Sequence, residues 1–336
     1  MDILTQGLLG AALSQSIARK DETRLATGVG FVAGLIADAD IFIYSSSDPL
    51  LNIELHRHFT HSIFFIPIGA LIATLLLWPV IRRFSSLTMP TFRRLYIFCL
   101  LGYSLSGFID ACTSYGTHLL WPLYDDRITF HLISIIDPIF TSMLMLAVIM
   151  AWRKHRPRWA HIGLVLCGSY LLLGVLQLNR ATDLAYALAE SRQHDVEKLV
   201  VKPSLANILV WRSTYIANDT IYVDAVRPGI TSSKVYPGSA VPLFIPERDA
   251  NDIPQDSVLY NDILRFKNFS DGFIAMEPGR DNLLGDVRYS MSPIKIATLW
   301  GITLDKNKLY EHAHYGFYRA TSPDDRKIFL SMLFGD

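Results

Sequence analysis

The sequence predicts an α-helical polytopic membrane domain, with about five spans plus a short N-terminal helix, followed by a small α+β soluble domain. Three observations predict this. The 336 residues are 51% hydrophobic and only 18% charged, whereas soluble domains carry about 25% charged residues. Mean hydropathy is +0.27. The apolar excess is concentrated: residues 1–180 hold 11 acidic and 14 basic side chains, and residues 181–336 hold 20 and 17. The domain boundary is therefore expected at 180/181. Zero net charge offers no footprint for nucleic acid. The hydrophobicity excludes disorder. Cys99, Cys112 and Cys167 all fall within or at the ends of apolar runs, as packing residues rather than a disulfide framework.

A membrane-spanning helix needs about 20 mainly apolar residues. Residues 3–18 are uncharged but short, so this first helix is expected to cross obliquely or to lie in the interface. Asp2 and the lack of an early basic cluster argue against a cleaved signal peptide. The expected spans are 25–44, interrupted only by Asp38 and Asp40, then 62–81, 95–112 with Asp110, 133–151 with Asp137, and 160–178. Lys and Arg in short loops set orientation. They fill 19–24, 82–94 and 152–159, which are expected on the cytoplasmic side. Loops 45–61 and 113–132 and the chain after 178 then face outward. In a bacterium this predicts an inner-membrane, multi-pass protein with a periplasmic C-terminal domain.

The ionisable groups left in the apolar half gather on that outer side. An ionisable residue at membrane depth costs at least ~2.5 kcal/mol, so several from separate helices at one depth suggest a shared cation. "LHRHFTHS" at 55–62 is the densest cluster, and imidazole with carboxylate is an ordinary ligand set for zinc or another first-row divalent ion. On a continuous helix His58 and His61 would share a face, while His56 and His61 would not. Asp38 and Asp40 are about 200° apart on a helix and reach one site only if that helix end unwinds. Asp137 before Pro138 reads as a helix N-cap. Asp125, Asp126 and Arg127 read as a solvated turn. His118 and His131 stay open.

"MDILTQGLLGAALSQS", "ADAD" at 37–40, "HRHFTHS" at 56–62 and "GFIDACTSYGTHLLWPL" at 107–123 together resemble the bacterial membrane-bound proteins of the YdjM type, described as metal-dependent hydrolases. The resemblance covers about residues 1–150, and "VKPSLANILVWRSTY" at 201–215 resembles a C-terminal extension found in one branch. It implies that Asp38 and Asp40 are the Asp-x-Asp pair, His56 and His61 the motif histidines, Arg57 the Arg between them, and Asp110 the later Asp. Ser106 stands where the family has His, and His58, His118 or His131 are additional candidates to compensate. The implied set is Asp38, His56, His61 and Asp110 as metal ligands, Asp40 as general base and Arg57 as the group that stabilises developing negative charge. The implied cofactor is a divalent ion, zinc first and manganese or another first-row metal next. The expected reaction is hydrolysis of a lipid or lipid-linked (phospho)ester by metal-activated water, with membrane lipid as partner. The alternative is a non-catalytic, metal-stabilised module that presents the C-terminal domain. An ion-coupled transporter ranks third, because the acids cluster on one side and no inverted repeat is visible.

Beyond 180, Thr182–Lys198 has helical spacing. Runs 208–216 and 220–226, separated by Ala217-Asn218-Asp219, predict a β-hairpin. Later strand candidates are Gly272–Met276 and Asp286–Tyr289, with a terminal apolar run at Phe329–Phe334. Trp211, Tyr215 and Tyr222 read as core. His312 and His314 alternate as on an exposed strand beside Glu311.

Overall fold

The structure is a computed structural model, described here for residues 1–84, 90–229, 232–318 and 323–335. The chain divides into two compact units, one of residues 1–43, 55–175 and 205–207, the other of residues 44–54, 176–204 and 208–336.

The first unit is helical. It contains α1 (Ile3–Ser16), α2 (Thr23–Ile36), α4 (Ile66–Phe84), α5 (Phe92–Ser104), α6 (Ser106–Ala111), α7 (Pro138–Lys154) and the first half of α8 (Arg158–Ser191); α3 (Pro49–Leu55) lies mostly in the second unit. Among the described residues, three helical stretches are long and apolar enough to cross a membrane: Thr23–Phe42, Ile66–Arg83 and Arg158–Ser191. The predicted span 95–112 is two helices, because the chain leaves helical geometry at Leu105 (φ −102°, ψ 4°). The predicted span 133–151 begins only at Pro138, where Asp137 caps the helix by accepting from the Ile139 and Phe140 amides.

Glycines let the central helices touch. A Cβ on Gly10 would lie 2.3 Å from the Gly30 carbonyl and 2.7 Å from the Gly102 carbonyl, so α1, α2 and α5 approach backbone to backbone. Small-residue packing of this kind, supplemented by side-chain hydrogen bonds, is how helices associate where no hydrophobic drive exists between them. Ser14 donates to the Phe98 carbonyl at 2.8 Å, and Gln15 to Thr27 at 2.7 Å and the Val148 carbonyl at 3.1 Å.

The second unit carries two four-stranded antiparallel sheets. One runs β1 (Lys198–Pro203), β2 (Trp211–Ala217), β3 (Thr220–Arg227), β4 (Lys234–Pro242). The other runs β5 (Ile274–Met276), β6 (Leu283–Asp286), β7 (Trp300–Thr303), β8 (His314–Phe317). The predicted hairpin is β2–β3: Ala217 pairs Thr220, and Asn218 and Asp219 both take φ near +50°, as the two-residue turn that matches strand twist requires. Trp211 and Tyr215 are fully buried, in line with a core role, and Tyr222 is half-buried. Besides most of α3 and the second half of α8, the unit holds the short helices α9 (Pro246–Asp249), α10 (Val258–Phe269) and α11 (Pro323–Phe334). The terminal apolar run is thus a helix. The strand expected at Asp286–Tyr289 lies earlier, at β6, and the helix expected to reach Lys198 ends at Ser191.

His312 precedes β8 rather than sharing its face with His314. Its ring pairs with Asp262 at 3.1 Å. Asp262 also accepts from Arg265, which forks onto Asp48 and Glu54 at 2.8–3.1 Å. Arg265 therefore offsets part of the negative charge of this acidic cluster.

Candidate metal centre

The centre lies in the helical unit and is built where helices stop. After Ile36 the second helix tightens into a 3₁₀ turn, Ala37–Phe42, which carries Asp38 and Asp40. The short helix α6 carries Asp110, fully buried. His61 closes a single 3₁₀ turn, Phe59–His61. Arg57 takes φ 60°, an uncommon conformation for a side chain of its size, so the chain reverses direction between His56 and His58.

Asp38, His61 and Asp110 converge. His61 Nε2 is 3.2 Å from Asp38 Oδ1 and 3.0 Å from Asp110 Oδ2. One ligand atom from each of the three lies within 4.8 Å of the others. Donor atoms around an ion with bonds of about 2.0–2.2 Å stand roughly 3 Å apart, so the donor set and its spacing fit a first-row divalent ion. The other edge of the ring is held by the second carboxylate. His61 Nδ1 is 3.0 Å from Thr60 Oγ1 and 3.4 Å from Asp40 Oδ2, and the Thr60 hydroxyl donates to that same oxygen at 3.0 Å. The hydroxyl has one proton, given to Asp40, so it accepts from Nδ1–H. Nε2 is then the ligand atom. A ligating histidine backed by a carboxylate is the usual outer-shell device for fixing tautomer and ring orientation.

Asp40 holds more than His61. Its Oδ2 accepts the Arg57 amide at 2.6 Å, and its Oδ1 lies 3.1 Å from His56 Nδ1. His56 is therefore paired with Asp40 and stands outside the Asp38–His61–Asp110 group; its side chain is 30% exposed. Arg57 Nε is 3.3 Å from Asp110 Oδ2, and its guanidinium lies over the Tyr115 ring. Its Nη1 is buried without a hydrogen-bond partner. The Met1 amine also donates to Asp110.

Gln6 was not among the residues selected from sequence. Its Nε2 is 2.9 Å from Asp110 Oδ2 and 3.4 Å from Asp38 Oδ1, and its Oε1 is buried without a partner. Rotating the amide by half a turn would aim that orphaned acceptor at the space between the carboxylates, where a cation would take it. The Thr-Gln pair at 5–6 is the signal that could have found it. Thr60, which completes the His61 support, stands within "HRHFTHS" directly before the histidine, and that place is the signal that could have found it.

Of the remaining sequence candidates, His58 and His118 come together with Asp125, while His131 bonds Thr129 at 3.2 Å and joins neither group. Burial, with the charges of Arg127 and His58 beside it, pushes the His118 imidazole down to about 4, so the ring is neutral at pH 7. Ser106 donates to the Tyr103 carbonyl at 2.5 Å.

Comparison with curated proteins finds no match, and neither does comparison with solved structures. The family described as YdjM inner membrane protein matches residues 1–181. That stretch is more than half of the chain and contains every residue of the centre, and the chain belongs to this family of inner membrane proteins.

Proposed function

We propose that the protein is a membrane-bound, metal-dependent hydrolase acting on a lipid or lipid-linked phosphoester at the outer face of the inner membrane. The observation that carries this reading is the convergence of Asp38, His61 and Asp110 with an orphaned Gln6 acceptor and an orphaned Arg57 donor beside them. Zinc is the first choice of ion and manganese the next. When bound, such an ion supplies Lewis acidity and lowers the pKa of water towards ~7. Asp38, His61 and Asp110 would hold the cation, with the Gln6 amide oxygen as a fourth donor.

The other groups take roles set by their neighbours. Asp40 has both oxygens engaged by Arg57, Thr60, His56 and His61, so we assign it to orienting the two histidines rather than to general-base catalysis. His56, backed by Asp40 through Nδ1 and partly exposed, keeps Nε2 for taking a proton from the attacking water. Arg57 Nη1 is a donor for a phosphoryl oxygen. Ile41, Phe42, Ile63 and Phe64 directly follow Asp40 and the His61 turn and are exposed, as suits a centre reached from lipid. We read the chain as multi-pass, with α5–α6 and α7 completing five spans and the C-terminal unit periplasmic, on the strength of the basic loops at 19–24, 82–94 and 152–159.

The test is elemental analysis of detergent-purified protein together with a panel of lipid phosphoesters. Wild type is expected to carry near-stoichiometric metal at this centre and to release product. His61→Ala is expected to lose the centre's ion and the activity, and His56→Ala to keep the metal and lose turnover. Unchanged metal content in His61→Ala refutes the centre. Ser106 favours a second reading, a metal-stabilised module without turnover, because its hydroxyl serves the Tyr103 carbonyl where the family pattern has His. Metal without hydrolysis across the panel selects that reading.

A further inference from the structure

We propose that His58, His118 and Asp125 form a second divalent-cation site, of zinc type, separate from the centre formed by Asp38, His61 and Asp110. One ligand atom from each of the three lies within 4.8 Å of the others. Asp125 Oδ1 is 3.3 Å from His58 Nε2 and 3.5 Å from His118 Nδ1, and the two imidazole rings are 4.3 Å apart between centroids. In a tetrahedral site with bonds of about 2.0–2.1 Å, adjacent donors stand roughly 3.3 Å apart. Both edges that meet at Asp125 Oδ1 therefore already have nearly that length, and the third lies within 4.8 Å. Two imidazoles with one carboxylate select a borderline first-row ion over magnesium or calcium, which take oxygen.

The backbone holds the two histidines in place without help from an ion. The His118 amide donates to the Arg57 carbonyl at 3.1 Å, the Thr117 hydroxyl donates to the same carbonyl at 2.9 Å, and the Ile63 amide donates to the Leu119 carbonyl at 3.0 Å. The loop bearing His118 and Asp125 is closed by mutual amide–carbonyl bonds between Thr117 and Ile128. The positive φ of Arg57 sends His56 towards Asp40 and leaves His58 to face this loop. His118 Nδ1 is buried without a hydrogen-bond partner, which is costly unless something supplies one. Arg127 turns its guanidinium to the His56 carbonyl and the Tyr115 ring. The Asp125 side chain is 76% exposed, so the cluster is open to solvent on its carboxylate side.

This site does not rest on the hydrolase reading and is tested apart from it. Chelator-stripped full-length protein in detergent is titrated with Zn²⁺, and with Co²⁺ followed by its visible absorption. Wild type is expected to take up one ion more per chain than the double variant His58→Ala/His118→Ala. His61→Ala, which addresses the other centre, is expected to retain the uptake at this site. Asp125→Asn, a change at an exposed position that should not disturb folding, is expected to weaken this uptake at least tenfold. Wild-type stoichiometry in the histidine variant, or unchanged affinity for this ion in Asp125→Asn, overturns the proposal.

Discussion

Gly107 offers the sharpest test of how the centre is assembled. It is the second residue of α6, three residues before Asp110, and it lies against the His61 carbonyl. A Cβ at this position would stand 1.9 Å from that oxygen and 3.2 Å from the Leu119 side chain. Ordinary contact begins near 3.4 Å, so alanine requires a shift of about 1–1.5 Å. The obstructing atom is backbone, so no side chain can rotate away. Either the His61 turn moves or α6 moves, and each carries a ligand. Overpacking of this kind costs about 1–3 kcal/mol, which for a unit of this size lowers Tm by roughly 2–12 °C. The effect on the ion is larger, because a functional constellation tolerates only about 0.5 Å. We expect Gly107→Ala to lower metal affinity about tenfold to a hundredfold. Gly28→Ala serves as the control, since a Cβ there meets nothing within 4 Å. The assay is metal content after dialysis against a graded chelator series, with thermal unfolding on the same samples. If Gly107→Ala keeps wild-type metal affinity and Tm, the contact between the two ligand-bearing turns does not set the geometry of the centre.

Two further outcomes follow from groups away from the ion. Asp137 is fully buried, caps α7 and accepts from the Tyr170 hydroxyl at 3.0 Å. Asp137→Ala is expected to cost about 2–3 kcal/mol through the lost cap and the stranded hydroxyl while metal content stays unchanged; loss of metal in this variant would show a role at the centre instead. Lys202 is buried with its ammonium over the Tyr289 ring at 3.2 Å, and burial, with the Arg212 charge beside it, holds its pKa well below the ordinary value. Burial likewise lowers Arg212 to about 9. Between the folded and unfolded pKa of Lys202 the unfolded chain binds more protons, so this residue makes stability rise with pH towards the ordinary lysine range. Lys202→Met is expected to raise stability at neutral pH by about 1–3 kcal/mol and to flatten that rise. Parallel Tm–pH curves for variant and wild type would contradict it.

The parts of the fold legible in the sequence are those set locally. The β2–β3 hairpin is visible because Asn218-Asp219 tolerates the positive φ its turn needs, and the α7 start because Asp137-Pro138 is a cap followed by a fixed φ. Hydropathy finds apolar runs but not their breaks. It reads 95–112 as one span although Leu105 separates α5 from α6, since a window of about 19 residues averages over the Ser106-Gly107 pair that marks the break. The terminal run at 329–334 was ambiguous for the same reason: short apolar runs fit helix and strand alike, and the structure makes it helix.

The centre shows the same division at the level of single atoms. The motifs name Asp38, Asp40, His61 and Asp110, but spacing alone left a difficulty, because two aspartates about 200° apart on a helix cannot face one ion. The 3₁₀ turn over Ala37–Phe42 does not remove that divergence; His61 uses it. An imidazole presents its two nitrogens in nearly opposite directions, so carboxylates that diverge from one turn can flank one ring. Asp38 stands at Nε2 beside Asp110, and Asp40 stands behind Nδ1 with Thr60. The Asp-x-Asp spacing is then the spacing of a ligand and the group that orients its neighbour. Which aspartate does which is decided by partners remote in sequence: Gln6 on the Asp38 side, and the Arg57 amide, whose direction is set by one positive φ, on the Asp40 side. No pattern within either motif carries that information, because it resides in how three helix ends meet.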